Sequence, residues 1–141
     1  MMFDDFIKRG QVRRASEDKA LTKSLLKNIN LEFNFLSALE INEKSRATLM
    51  CNYYDILRTI LEAIASVSGY KIYSHEAFTY FLKEIKNEEI ISVKFDRFRK
   101  IRNSIRYYGQ DVSVVEVIEN IEEIRRMIDI LIKKYLEGYD V

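Results

Sequence analysis

At 141 residues the chain has the size of one domain, long enough to bury a core. Hydrophobic residues make up 48% and charged residues 32%, a mixture that excludes a disordered chain and marks a globular one. The formal net charge of +1 excludes a uniformly basic nucleic-acid coat and leaves room for a local basic patch. Pro is absent and Gly occurs four times, so breakers are few and helices are favoured. Cys51 is the single cysteine, which excludes an intramolecular disulfide and a cysteine-built zinc cage. It reads as a small buried side chain. With one His and no clustered acidic motif, neither a metal site nor a cofactor is expected. Met1 to Lys8 mixes Phe with Asp and does not look like a leader, and no run is long enough to span a bilayer. The expectation is a cytoplasmic protein with one domain over residues 1–141.

In chain order, a short helix is expected around Met2 to Lys8, then a long one from about Asp18 to Leu39. Leu21, Leu25, Ile29, Phe33, Leu36 and Leu39 recur there at steps of three and four, and Leu26, Leu31 and Phe35 widen that apolar face. The next helix runs from about Glu43 to Ser68, with Asn42 as N-cap and Gly69 as terminator. Tyr70 to Tyr73 reads as a loop, because four residues alone make no sheet. Ser74 caps a shorter helix carrying Phe78, Phe81, Leu82 and Ile85. Another starts near Glu88 and reaches Tyr107 or Tyr108, with Ile91, Phe95, Phe98, Ile101, Ile105 and Tyr108 as its stripe. Ser113-Val114-Val115-Glu116 has the form of a capping box and opens the last helix, through Ile118, Ile121, Ile128, Leu131 and Tyr135. Links are short, so the fold class is all-α: an antiparallel up-and-down bundle of five or six helices.

One segment stands apart. From Lys94 to Arg106, six basic residues against the single acid Asp96 leave a net +5. Arg99, Arg102 and Arg106 share one helical face, with Asn103 beside them and Tyr107 and Tyr108 following. Guanidinium groups bind phosphates through paired, charge-assisted hydrogen bonds, and aromatic rings stack bases. The bland reading is a solvated face tied by ion pairs to Glu116, Glu119, Glu122 and Glu123 of the last helix.

Arg102-Asn103, followed by Tyr107, Tyr108 and Gly109 near the end of the penultimate helix, resembles the Arg-Asn-xxx-His motif of HEPN domains (higher eukaryotes and prokaryotes nucleotide-binding). Tyr53-Tyr54-Asp55-Ile56-Leu57-Arg58 with Leu61-Glu62-Ala63 resembles that family's acidic, amphipathic second long helix. The stretch from Gly69 to Ala77 resembles the loop and helix start of prokaryotic members. The resemblance covers roughly Ala15 to Leu136. It implies a HEPN-like bundle that homodimerises, joining two motif faces into one cleft. Many members are metal-independent ribonucleases, often toxins paired with a nucleotidyltransferase antitoxin. By that resemblance Arg102 would hold a phosphate and Asn103 would position neighbouring groups. The histidine position falls at Tyr107, and a phenol that titrates near ~10 is a poor general base at neutral pH.

The candidate catalytic set is therefore Arg102, Asn103 and Tyr107, and the RNA- or nucleotide-binding set Arg99, Arg102, Arg106 and Tyr108. Asp55 and Glu62, seven apart on one helical face with Arg58 between them, either line the cleft and orient Arg102 or form a surface charge ladder. His75 follows a helix N-cap and reads as a local structural residue; replacing the motif histidine would require distant helix ends to meet. Tyr53, Tyr54, Tyr107 and Tyr108 are candidates for an interface. Three functions compete. The first is a homodimeric module binding RNA, nucleotide or a nucleotidyltransferase partner without cutting; the second is a ribonuclease toxin; the third is a structural dimer whose arginines are spent on ion pairs.

Overall fold

The computed structural model of the chain describes residues 1–139. Six α-helices dominate: α1 (Phe3–Lys8), α2 (Lys19–Ser37), α3 (Arg46–Val67), α4 (His75–Tyr80), α5 (Glu89–Tyr108) and α6 (Val114–Tyr135). A π-helical turn at Phe81–Ile85 prolongs α4. Two three-residue strands, β1 (Val12–Arg14) and β2 (Tyr70–Ile72), complete the element order. None of the described helices is long and apolar enough to cross a membrane.

The direction of the long helices follows from their cross-links. Glu88, which caps α5, bonds Lys134 and Tyr135 at the far end of α6. Midway, Arg97 bonds Asn120 and Glu123. Near the turn, only Gly109 to Ser113 separate the two helices. Pairs that stay level along both helices require α5 and α6 to run antiparallel. Arg46, at the start of α3, donates to the carbonyl of Val112 at 2.7 Å and to Asp111 at 2.6 Å, so α3 begins where α6 begins. Arg125 of α6 donates to Tyr53 of α3 at 2.6 Å, which keeps these two in step.

Helix α3 is the hub, packing on α2, α5 and α6. Its buried face includes Leu49, Tyr53, Tyr54, Leu57, Ile60, Leu61 and Ile64. Phe95 and Phe98 of α5 are fully buried against the same core. Complete burial of such a side chain stabilises the fold by about 1.5–3 kcal/mol before entropy is counted. Asp18, Ser74 and Ser113 cap their helices, each accepting a backbone N–H from its own first turn. Gly109 ends α5 with φ +61°, a conformation that strains any residue carrying a Cβ.

Several expectations are corrected. Tyr70 to Ile72 is a strand and not a loop: it pairs antiparallel with β1, Val12 opposite Ile72 and Arg14 opposite Tyr70. Asn42 is not the N-cap of α3. The helix starts at Arg46, while the Asn42 side chain accepts from the backbone of Lys44 and Ser45 in the preceding turn. Of the three residues that widen the α2 face, only Leu26 is covered. Leu31 and Phe35 are exposed, because α2 packs chiefly on α3 through Thr22, Leu26, Ile29 and Leu36. On α6 the buried stripe is Val117, Ile121, Ile124, Met127, Ile128 and Leu131, while Ile118 faces out. Tyr53 and Tyr54 are core residues, 1% and 0% exposed, and leave the interface set.

Candidate functional site

The basic segment of α5 divides by what surrounds each side chain. Lys94 and Arg97 both pair with Glu123 of α6, at 3.0 and 2.8 Å. Arg99 and Lys100 both pair with Asp96, one turn back on the same helix, at 2.8 and 3.0 Å. Burial alone would push the Asp96 carboxyl up; hydrogen bonds from Arg99 and Lys100 outweigh it and hold the group below the ordinary carboxylate range. Glu123 follows the same logic with Lys94 and Arg97. Thus Arg99, expected in the open arginine row, is engaged within its own helix.

Arg102 sits differently. Its side chain is only 17% exposed, and its guanidinium lies 5.8 Å from the ring centroid of Tyr54 and 5.7 Å from that of Tyr107. Two aromatic faces therefore flank one cation. Nη1 donates to Asn103 Oδ1 and to the Tyr107 hydroxyl, each at 3.3 Å. Nε is buried without a hydrogen-bond partner, and the nearest carboxylate oxygen, on Asp55, is 3.9 Å away. Among the described residues no acceptor bonds Nη2. The protein thus fixes this guanidinium and leaves part of its donor fork unspent.

Around it, Arg106, Tyr107 and Tyr108 are exposed, the two tyrosines at 69% and 77%. Arg106 lies beside the buried Cys51, whose thiol burial pushes up. The two acids of α3 separate. Asp55 faces Arg102, whereas Glu62 pairs with Arg58 at 3.2 Å and lines a different small cavity with Ala15, Asp18, Ser66 and Tyr70. Glu62 is paired along its own helix, and of the two acids Asp55 alone lies near Arg102.

The structure adds His75. Its Nδ1 is 3.1 Å from the Tyr54 hydroxyl and its ring stacks on Tyr54 at 5.9 Å. Burial, then Arg58 and Arg102, lower the imidazole from its ordinary 6.5 to about 4, against the opposing pull of Asp55. Arg102 and His75 thus both lie against Tyr54, which ties α3, α4 and α5 together at this point. The sequence signal was slight: a lone imidazole one position past an N-cap. No group of three or more His, Cys, Asp or Glu among the described residues is arranged to hold a metal ion.

What the arrangement can do follows from its parts. A half-buried guanidinium with free donors, fixed by an amide and flanked by phenol rings, is complementary to a phosphate oxygen next to a stackable base. Comparison with models of known families found none that matches, and searches of curated proteins and of solved structures likewise found no match.

Proposed function

We propose that the chain is a HEPN-like homodimer that binds RNA or nucleotide through phosphate contacts at Arg102, without cutting. The observation that carries this reading is the Arg102 guanidinium, positioned by Asn103 and Tyr107 with donors left over. Arg106 and Tyr108 extend the same end of α5. Support for the second copy comes from the outer side of α5. Ile90, Val93 and Tyr108 are exposed and Ile101 half-buried, and their helical spacing puts them on one strip. The family resemblance adds a nucleotidyltransferase antitoxin as a candidate partner, and a small nucleotidyltransferase gene beside this one would support it.

The test is incubation of purified protein with labelled single-stranded RNA, with and without chelator. Expected are binding that weakens as salt rises and no cleavage. Light scattering should give a dimer; a monomer at micromolar concentration sinks that part of the proposal. Tyr107→His restores the Arg-Asn-xxx-His spacing. Cleavage by that variant and not by the native protein would mark a binding module on a nuclease scaffold. Strong metal-independent cleavage by the native protein, lost in Arg102→Ala, would make the ribonuclease reading correct. No binding by either at low salt would leave the structural dimer.

A further inference from the structure

The sole imidazole gives the site a second side that the Arg-Asn segment does not supply. Its proton can be placed from the geometry. Tyr54 is fully buried, and that burial raises its phenol well above the ordinary value despite the opposing Arg102, Arg58 and Arg99. The hydroxyl therefore keeps its proton. Its one hydrogen-bond partner among the described residues is His75 Nδ1. A buried O–H is seldom left without an acceptor, so it donates to Nδ1. His75 is neutral at pH 7, since its imidazole titrates near 4. A neutral imidazole that accepts at Nδ1 carries its hydrogen on Nε2. That Nε2–H has no protein acceptor among the described residues. The charged groups around it are Asp55 and Arg58 of α3 and Arg99 and Arg102 of α5, with Glu76 next to it on α4.

We propose that His75 is a neutral hydrogen-bond donor of the anion site, offering Nε2–H to an oxygen of the phosphate group that Arg102 holds. Tyr54 fixes the ring from behind and selects the tautomer. His75 is thus a ligand-binding residue with Tyr54 as its positioning residue, and the ligand class is a phosphate ester. The inference rests on the reading of Arg102 as a phosphate site. It has one consequence that reading alone lacks. A bound phosphate offsets the positive field of Arg58, Arg99 and Arg102 that helps keep the ring neutral. The imidazole should then titrate at higher pH in the complex, so binding takes up a proton under mildly acidic conditions.

Because the chain has one histidine, its ring nitrogens give unambiguous ¹⁵N resonances. These are followed while inorganic phosphate, adenosine monophosphate or a short single-stranded RNA is added. The expected result is the Nε2–H tautomer in the free protein, then a shifted Nε2 signal and a raised titration midpoint with ligand. A response to the first two probes points to a phosphomonoester, and a response to RNA alone to a backbone phosphodiester. The Nδ1–H tautomer in the free protein, or an unmoved Nε2 signal at saturation, overturns the proposal.

Two variants separate recognition from packing. His75→Asn keeps an acceptor near the Nδ1 position and loses the distal donor, so binding should weaken about tenfold. His75→Gln places an amide N–H near the Nε2 position and should recover much of that loss. A role confined to accepting from Tyr54 predicts the reverse order. If Arg102→Ala weakens binding while the His75 signal and both variants are silent, only this inference has failed. If nothing binds, or if binding ignores Arg102, the phosphate reading has failed and takes this one with it.

Discussion

The two halves of α5 carry similar charge and opposite availability. From Lys94 to Lys100, four cations share two carboxylates, Asp96 and Glu123, and all four are paired. From Arg102 to Tyr108, carboxylates run out. Asp55 stands beyond hydrogen-bond distance of Arg102, and Arg106 forms no ion pair among the described residues. The second half is also where Tyr107 and Tyr108 are exposed. A count of basic residues therefore overstates what a partner can use. Local acid supply decides which positive charges are matched within the fold and which are left without a carboxylate partner.

The largest effect expected from this contrast is on binding. Arg102→Ala should weaken RNA binding by about 1–3 kcal/mol, because a charge-assisted contact is lost from a prepared position. Lys100→Ala, on the same helix and more exposed, should change it little, since its charge is already matched by Asp96. Filter binding or fluorescence anisotropy at fixed salt compares them. Equal losses would break the contrast and leave α5 acting as a uniformly charged rod.

A smaller effect is expected in the paired half. Glu123→Gln removes the shared partner of Lys94 and Arg97, both substantially exposed. The cost to stability should be about 0.5–1 kcal/mol, read by urea unfolding. Two cations are released at the same time, so any RNA binding should gain a steeper salt dependence. An unchanged salt slope would show that these cations do not reach the ligand even when free.

Much of this was legible in the sequence. Period-3.6 patterning located the long helices, Ser74 and Ser113 marked two helix starts, and Gly109 marked the end of α5. Periodicity identifies an apolar face without saying how much of it another element covers. Leu31 and Phe35 were accordingly placed inside and lie outside. The β1–β2 pair was illegible because the whole of α2 and α3 separates Val12 from Ile72 in the chain. Within the site, Arg102, Asn103 and Tyr107 were readable as neighbours on one helix end. The diversion of Arg99 was readable too, since Asp96 lies one turn before it. His75 was not, because its tie to Tyr54 joins different helices and no sequence spacing relates the two.

The smallest effect separates the two regions by pH. Asp96 and Glu123 are held below their ordinary values of 3.8 and 4.5. Their stabilisation is fully present above those values and is lost as pH falls through the lowered ones. His75 is displaced the other way for a base, from 6.5 down to about 4. Below 6.5 the unfolded chain takes up a proton that the folded one refuses, so stability is lost as pH falls from 6.5 toward 4 and is level above. The windows overlap little. Between pH 6.5 and 5, the midpoint of thermal unfolding of the native protein should fall relative to His75→Asn, while Glu123→Gln should run parallel to the native protein there, and the gap between those two should close only in stronger acid. The His75 shift should be modest, because the ring is only half-buried and water screens part of the charge. If native and His75→Asn proteins track together across that range, the imidazole is not held neutral, and the donor assigned to Nε2 loses its basis.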